Sequence, residues 1–416
     1  GSIIEDGSQD NSLQGDREDE DDDPYDDRND HQSGSNNTSS NQTGLNSSNK
    51  NDNDNGCKKH KDANKDEICD VCKLSVIVYV DFYNINDLHG KLADADSHVG
   101  VDELTTYLKN ARKTDDHAFF LSTGDMWQGQ AESNMTKGLI MTDWMNEMGF
   151  AAMTLGNHEY DWGEEYIEKN AEAAEFPFLA INVYEKETGE RVDYCRSSVL
   201  IERDGIKVGI IGAIGDCYSS ISGEMVEDVF FKTGSELTAL VKAESEKLRA
   251  EGADYIVYSI HGGFGSNSSA SMVQTSSLRG YYDASLSKDG YVDLVFEGHT
   301  HKSYAFEDEY GVPHLQNGGD NSGISHVEVR LNFANGYDRV SVSEIIKPSR
   351  YANLEDHPIV DELLEKYADQ VDAGKLVLGQ NSRLRNSTEL KGLVADLYYA
   401  AGIERWGDKY DIARGG

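Results

Sequence analysis

Residues 75–90 read SVIVYVDFYNINDLHG, and this stretch sets the pattern for most of the chain. Its first eleven residues are rich in β-branched and aromatic side chains, which is typical of a buried strand. The polar sequence Asp87-Leu88-His89 follows where the apolar run stops. We therefore predict a strand that delivers a carboxylate and an imidazole to one edge of a sheet.

Strand and helix patterns alternate along the residues that follow. Helices are predicted at 101–113, 139–150, 164–175 and 235–252, the last with Gly252 as its C-cap residue. Strands are predicted at 117–124, 151–156, 176–183, 255–260 and 292–298. A hairpin at 199–214 would turn at Asp204-Gly205, and two more hairpins are expected before Lys347. This alternation predicts an α/β layered domain, with either one mixed sheet or two sheets packed face to face and helices outside.

The charge of the chain is strongly negative. The 416 residues carry a formal net charge of −38, and residues 1–56 alone hold 15 acidic and 3 basic residues. We predict that residues 1–56 are a disordered acidic, Asn/Ser-rich spacer that could tether a domain to a cell surface, or solvated filler. The negative charge argues against a nucleic acid polymer as a partner. No apolar run in the sequence is long enough to span a bilayer.

A short segment at residues 57–73 combines cysteine, histidine and aspartate. Its soft side chains have the spacing of a closed tetrahedral zinc site, formed by Cys57, His60, Cys69 and Cys72. Alternating acidic residues also resemble a calcium loop, but Glu67 stands where that loop needs glycine. We predict a structural zinc or calcium ion here, with disulfides as the alternative. For Cys195 and Cys217, a disulfide and two buried free thiols are both open.

Four further strand ends carry polar residues beside glycines. They are Gly124-Asp125, Gly156-Asn157-His158-Glu159, Ser259-Ile260-His261-Gly262-Gly263 and Gly298-His299-Thr300-His301. Each cluster alone is a weak signal, because a single Asp or His at a strand end is common. Together with Asp87 and His89 they form a set of oxygen and nitrogen ligands without thiolate, which suits a pair of divalent first-row ions.

The order DLHG, GDMWQG, GNHEYD, SIHGG and GHTH resembles that of the calcineurin-like metallophosphoesterases, and more narrowly the 5′-nucleotidase family. The resemblance covers about residues 75–348. It implies that residues 74–350 form a four-layer α-β-β-α sandwich with mixed sheets. It also implies a secreted or cell-surface hydrolase in nucleotide catabolism, which uses two metal ions to cleave a small phosphoester such as a nucleotide. The alternatives are a 2′,3′-cyclic nucleotide phosphodiesterase, a nucleotide-sugar hydrolase, or a non-catalytic surface binding module.

The resemblance also implies a role for each matching residue. The first ion would be held by Asp87, His89 and His301, and the second by Asn157, His261 and His299, with Asp125 bridging both. His158 would be the catalytic histidine, oriented by Asp161, and the nucleophile would be a metal-bound water or hydroxide. Zinc, manganese, iron and cobalt all suit this ligand set.

The end of the chain resembles the family in a different way. Residues 351–416 are expected to hold a linker helix, with its pattern at 359–371, and the opening of the family's C-terminal domain at 385–416. The resemblance implies that this second domain is truncated.

Overall fold

The computed structural model describes residues 60–94, 100–115, 118–203, 205–264, 282–334 and 338–374. The predicted spacer, Cys57, and the predicted opening of a C-terminal domain lie outside these ranges. The domain boundaries predicted from the sequence therefore stay predictions.

The described residues form strands and helices in an alternating order. The strands are β1 Ile77–Ile85, β2 Phe119–Ser122, β3 Ala152–Thr154, β4 Phe178–Leu179, β5 Val183–Glu185, β6 Ser198–Arg203, β7 Ile206–Ile214, β8 Val229–Phe231, β9 Tyr255–His261, β10 Leu294–Glu297, β11 Ser303–Glu307, β12 Pro313–Asn317, β13 Ile324–Asn332 and β14 Asp338–Ile346. The α-helices are α1 Asp102–Thr114, α2 Ala131–Thr136, α3 Leu139–Met148, α4 Glu164–Ala173, α5 Gly234–Ala250, α6 Ser285–Lys288, α7 Pro358–Lys366 and α8 Ala368–Gly374.

Two six-stranded mixed sheets form the centre of the fold. One has the strand order β14-β13-β1-β2-β3-β4, and the other has the order β11-β12-β10-β9-β7-β6. In the first sheet β1 to β4 are parallel, whereas β13 runs antiparallel to β1. In the second sheet β7, β9, β10 and β12 are parallel. The three hairpins predicted from the sequence are confirmed as the antiparallel pairs β6–β7, β11–β12 and β13–β14.

Three buried apolar clusters separate four layers. Phe82 and Leu121 of the first sheet pack with Val257 and Phe296 of the second, so the sheets lie face to face. The outer face of the first sheet is covered by α1 and α3, whose buried residues include Leu108 and Trp144. Side chains of α5 cover the outer face of the second sheet. The predicted four-layer α-β-β-α sandwich is confirmed.

Two predicted elements differ from the structure. Residues 176–183, predicted as one strand, contribute to β4 and β5, which belong to different sheets. Between them, Asn182 forms hydrogen bonds with both backbone groups of Ile214, which directs the chain away from the first sheet. The helix predicted at 359–371 is divided at Tyr367 into α7 and α8.

A buried charged triad links β10, β12 and the turn that follows β11. His314 of β12 forms hydrogen bonds with Glu297 (2.9 Å) and Asp308 (3.4 Å), and both the histidine and Glu297 are fully buried. Burial by itself would lower the pKa of His314, but the hydrogen bonds to Asp308 and Glu297 outweigh it and raise this pKa to about 9.

This triad predicts a pH-dependent stability. The pKa of His314 is raised from 6.5 to about 9 in the folded protein. The contribution of protonated His314 to the free energy of unfolding is therefore complete below pH 6.5 and is lost as the pH rises through 9. In metal-free protein, we expect His314→Gln to reduce the loss of unfolding free energy between pH 6.5 and pH 9. Urea unfolding of both proteins at the two pH values measures this difference. Equal losses in both would contradict the expectation.

Candidate metal centre

Five loops meet at one edge of the sandwich, each following a parallel strand. Loops after β1, β2 and β3 in the first sheet carry Asp87, Asp125 and Asn157. In the second sheet, the loop after β10 carries His299, and His261 is the last residue of β9, directly before the fifth loop. Carboxyl ends of parallel strands share an edge, so the fold brings distant parts of the sequence together there.

The first cluster consists of Asp87, His89 and His301, whose ligand atoms all lie within 4.8 Å of one another. His301 Nε2 lies 3.2 Å from Asp87 Oδ1 and 3.1 Å from His89 Nε2. His89 Nδ1 lies 2.8 Å from the carbonyl oxygen of Gln128, which can accept its proton. With that tautomer, His89 Nε2 directs a lone pair towards the other two ligand atoms.

The second cluster surrounds Asp125. His261 Nε2 lies 3.0 Å from Asp125 Oδ2, and Asp87, Asp125 and His261 again have ligand atoms within 4.8 Å. His299 Nδ1 lies 2.9 Å from Asn157 Oδ1. Asp87 therefore belongs to both groups of side chains.

One buried atom tests whether these residues suit a metal ion. The Nδ1 of His261 lies 2.6 Å from the carbonyl oxygen of Thr123, the natural acceptor for the ring proton. Its Nε2 is buried only 3.0 Å from Asp125 Oδ2, a distance at which a protonated ring forms an ion pair with the carboxylate. A lone pair so close to a carboxylate oxygen is repelled unless a proton or another cation lies near both. This donor set fits a divalent cation.

Left-handed backbone conformations are frequent among the predicted ligands. The φ angles are 52° at Asp87, 53° at His89, 54° at Asp125, 70° at His299 and 51° at His301. Such conformations are uncommon for residues other than glycine and cost free energy. The surrounding loops must hold these five residues in place.

The loops also approach each other closely. A Cβ atom at Gly156 would lie 2.3 Å from Asp125 Oδ1, so this position tolerates no larger residue without displacing the carboxylate. The neighbouring backbone N–H of His158 donates a hydrogen bond of 2.8 Å to the same oxygen. The loop after β3 therefore positions Asp125 as well as carrying its own side chains.

His158 stands at the rim of the two clusters. Its Nδ1 lies 2.8 Å from Asp161 Oδ2, and its ring centroid lies 5.2 Å from that of His89. About a third of each side chain of the His158–Asp161 pair is exposed. The hydrogen bond to Asp161 raises the pKa of His158 to about 9 against the opposing effect of burial. Nδ1 thus contacts Asp161, and Nε2 is the ring nitrogen left for another partner on a side chain that is one-third exposed.

Charge interactions dominate the interior of the centre. Burial alone would raise the pKa of Asp125, but His261 and His158 hold it below its ordinary value. Burial would likewise lower the pKa of His261, and the Asp125 carboxylate raises it to about 10. The two groups thus stabilise each other's charged forms in the described structure.

Two supporting residues were not singled out from the sequence. The buried Glu159 carboxylate accepts hydrogen bonds from the backbone N–H groups of Asp125, Met126 and Gly156 at 2.7–2.9 Å. Asn86 Nδ2 donates a hydrogen bond of 2.6 Å to Asp87 Oδ2. The signal for Glu159 was its place directly after His158 in the GNHEYD motif.

The remaining predicted residues lie elsewhere or beside the centre. His60, Cys69 and Cys72 form a separate group of three possible metal ligands. Cys195 and Cys217 are free and buried, so the alternative of buried thiols describes them. The sulfur of Cys217 lies within 4.8 Å of ligand atoms of His261 and His299, a proximity that its position in the sequence did not indicate.

Residues 81–303 match the calcineurin-like phosphoesterase family, and this range contains all five loops. The chain belongs to the calcineurin-like phosphoesterase family. The clusters around Asp87 and Asp125 supply possible ligand groups for the dinuclear divalent metal centre that calcineurin-like phosphoesterases use.

Curated relatives of this chain include a protein UshA and a 5′-nucleotidase. The chain is 26% identical over 243 residues to the protein UshA of Yersinia enterocolitica, and the match covers 57% of this chain and 41% of that protein. It is 30% identical over 190 residues to a 5′-nucleotidase of Vibrio cholerae, covering 45% of this chain and 33% of that protein. The chain thus spans less than half the length of these curated relatives.

A solved structure supports the same fold. The calcineurin-like phosphoesterase YfkN of Bacillus subtilis superposes with a TM-score of 0.59 at 19% identity. The match covers 72% of this chain and 100% of that one. At this identity the likeness concerns the fold alone. Within the described residues, no helix has the length and apolar character needed to cross a membrane.

Proposed function

We propose that this chain contains the catalytic domain, residues 74–350, of a metal-dependent phosphoester hydrolase of the 5′-nucleotidase type. The observation that carries the proposal is the meeting of Asp87, Asp125 and His261 at one sheet edge, with their ligand atoms within 4.8 Å of one another. Membership of the calcineurin-like phosphoesterase family points to the same chemistry.

In this proposal each cluster holds one divalent cation. The first cation would be bound by Asp87, His89 and His301, and the second by Asn157, His261 and His299, with Asp125 shared between them. The ligand set suits zinc, manganese, iron or cobalt. Bound cations would neutralise charge on the phosphoryl oxygens and lower the pKa of a water molecule.

The protein's own residues would orient the substrate and supply a proton. His158 is the proposed general acid, because its partly exposed ring lies beside His89 at the rim of the centre and contacts Asp161 through Nδ1. A proton delivered from Nε2 to the leaving oxygen would let an alcohol or nucleoside depart as a neutral molecule. Asp161 would also stabilise the charged imidazole.

The choice of substrate rests on charge and on the named relatives. A chain with a net charge of −38 repels anions at long range, so a phosphoester must be attracted by local positive charge. Two divalent cations supply such a charge. The relative of Vibrio cholerae is named a 5′-nucleotidase, which favours a nucleoside 5′-monophosphate as the substrate. An extracellular or cell-surface location, with residues 1–56 as the spacer, is part of the proposal.

Metal removal is the first test. Protein treated with a chelator should lose hydrolysis of both p-nitrophenyl phosphate and a nucleoside 5′-monophosphate, because the carboxylates alone would repel the phosphate. Adding back zinc, manganese or cobalt should restore phosphate release, measured as inorganic phosphate. His357→Asn, which changes a histidine at the start of α7, serves as a control that retains activity.

A panel of substrates then separates the alternatives. Preference for a 2′,3′-cyclic nucleotide or a nucleotide sugar would replace the 5′-nucleotidase proposal with a related hydrolase. Binding of two metal ions per catalytic domain without turnover of any phosphoester would instead support a binding module.

A further inference from the structure

The segment that precedes β1 folds into a compact turn. Its backbone is closed by an antiparallel bridge between Ile68 and Ser75 and by a hydrogen bond of 2.8 Å from Cys69 N to Leu74 O. A second hydrogen bond, 2.7 Å from Asp70 N to Lys61 O, brings the start of the segment back to its end. His60 thereby lies next to the C-x-x-C sequence formed by Cys69 and Cys72.

Three side chains of this turn point to a common place. Ligand atoms of His60, Cys69 and Cys72 all lie within 4.8 Å of one another. Cys72 Sγ lies 3.4 Å from His60 Nδ1, and Cys69 is fully buried. We propose that His60, Cys69 and Cys72 bind a structural zinc ion, separate from the metal centre at the sheet edge.

The ligand chemistry favours zinc over calcium. Calcium requires six to eight oxygen ligands, whereas two thiolates and an imidazole are typical of zinc. The aspartates of the turn are already occupied with its backbone. Asp62 accepts hydrogen bonds from the N–H groups of Asp66 and Glu67, and Asp70 Oδ2 accepts one of 2.8 Å from Ala63 N. These carboxylates shape the turn that carries the soft ligands.

The apolar cluster beneath the turn is small. It consists of the buried residues Cys69, Val76 and Ala334, with Cys72 and Ile77 packed against them. An ion pair between Glu67 and Arg330 joins the turn to β13. So small a core contributes little stability, and a structural metal is the usual compensation in such cases. Since residues 60–72 precede the family match at 81–303, the site would be an addition to the catalytic domain.

The zinc content of the full chain tests the proposal. After dialysis with zinc and removal of free ions, wild-type protein should hold about one more zinc ion per chain than the double variant Cys69→Ser/Cys72→Ser. Cys195→Ser, which changes another buried thiol, should leave the zinc content unchanged. Both variants should keep their hydrolytic activity, because neither position lies in the proposed catalytic machinery. An unchanged zinc content in the double variant would overturn the proposal.

Cobalt distinguishes this site from the other centre. Cobalt bound to thiolates gives a sulfur-to-metal charge-transfer band in the near ultraviolet, and this band should vanish in Cys69→Ser/Cys72→Ser. It should persist in Cys217→Ser, which removes the thiol near His261 and His299. A band lost only in Cys217→Ser would place the thiolate-bound metal at the sheet edge and contradict the proposal.

Wild-type protein provides a test that does not depend on the folding of a variant. Zinc should protect Cys69 and Cys72 from alkylation, and a chelator should expose both, as mapped by mass spectrometry of peptides. Equal alkylation with and without zinc would refute the site. A disulfide between Cys69 and Cys72 in the zinc-treated protein would also refute the site. Reduction would then increase the mass of the peptide by that of two hydrogen atoms.

Discussion

His158→Asn should lower kcat for a nucleoside 5′-monophosphate by about 10²–10⁴-fold, the range expected for the loss of a general acid. Asparagine keeps a polar side chain of similar reach but cannot deliver a proton. The number of bound metal ions should stay unchanged, because His158 is proposed to act on the substrate. Steady-state kinetics with metal-loaded protein measures the effect, and His357→Asn is the matched control outside the centre.

The leaving group makes this prediction sharper. p-Nitrophenolate departs without protonation, so His158→Asn should impair hydrolysis of p-nitrophenyl phosphate much less than that of a nucleotide. Asp161→Asn should also reduce hydrolysis of the nucleotide more than that of p-nitrophenyl phosphate, but by a smaller factor. This variant weakens the contact that orients the His158 ring and leaves the imidazole itself in place. Equal losses on both substrates would assign His158 to charge stabilisation and remove the general-acid role.

Glu159→Ala should lower the free energy of unfolding by roughly 2–4 kcal/mol, because each buried N–H group left without an acceptor costs about 1–3 kcal/mol. Three backbone N–H groups, those of Asp125, Met126 and Gly156, lose their acceptor in this variant. Burial raises the pKa of Glu159 to about 7, so removal of a poorly solvated carboxyl group offsets part of the loss. Urea unfolding measures the change.

A matched control and a second measurement complete this experiment. Glu165→Ala removes an exposed glutamate of α4 that forms an ion pair with Lys169, and it should cost less than about 1 kcal/mol. Glu159→Ala should also weaken metal binding, since the loop that carries Asp125 loses its support. Stability and metal affinity equal to those of Glu165→Ala would show that the three N–H groups find other acceptors.

The strand ends were the most predictable part of this protein. Apolar runs such as residues 75–85 stop abruptly at polar residues, and the structure places the ends of β1, β2, β3, β9 and β10 at one edge. Which sheet a short strand joins was not predictable. The sequence predicts one strand at 176–183 where the structure has β4 and β5. The chain turns between them because Asn182 forms hydrogen bonds with Ile214, 32 positions away, and a local sequence pattern does not reveal such a contact.

The chemistry of the site was predictable only where side-chain type decides it. Aspartate and histidine beside glycines indicate metal ligands whatever their partners are. The role of Glu159 depends on the direction of three backbone N–H groups, and that of Asn86 on its contact with Asp87, which sequence patterns do not reveal. In the segment at 57–73, the spacing of Cys69 and Cys72 indicated soft ligands. The use of Asp62 as a backbone acceptor became visible only in the folded turn.

The left-handed conformations at Asp87, His89, Asp125, His299 and His301 have a consequence for protein engineering. Copying these side chains onto another scaffold would not reproduce their geometry, because ordinary loops direct Asp and His from right-handed or extended backbone. A recipient scaffold would need loops that already reverse their backbone at the same positions. What would have to be transplanted is therefore the set of loops with the sheet edge that anchors them, and the side chains alone would be insufficient.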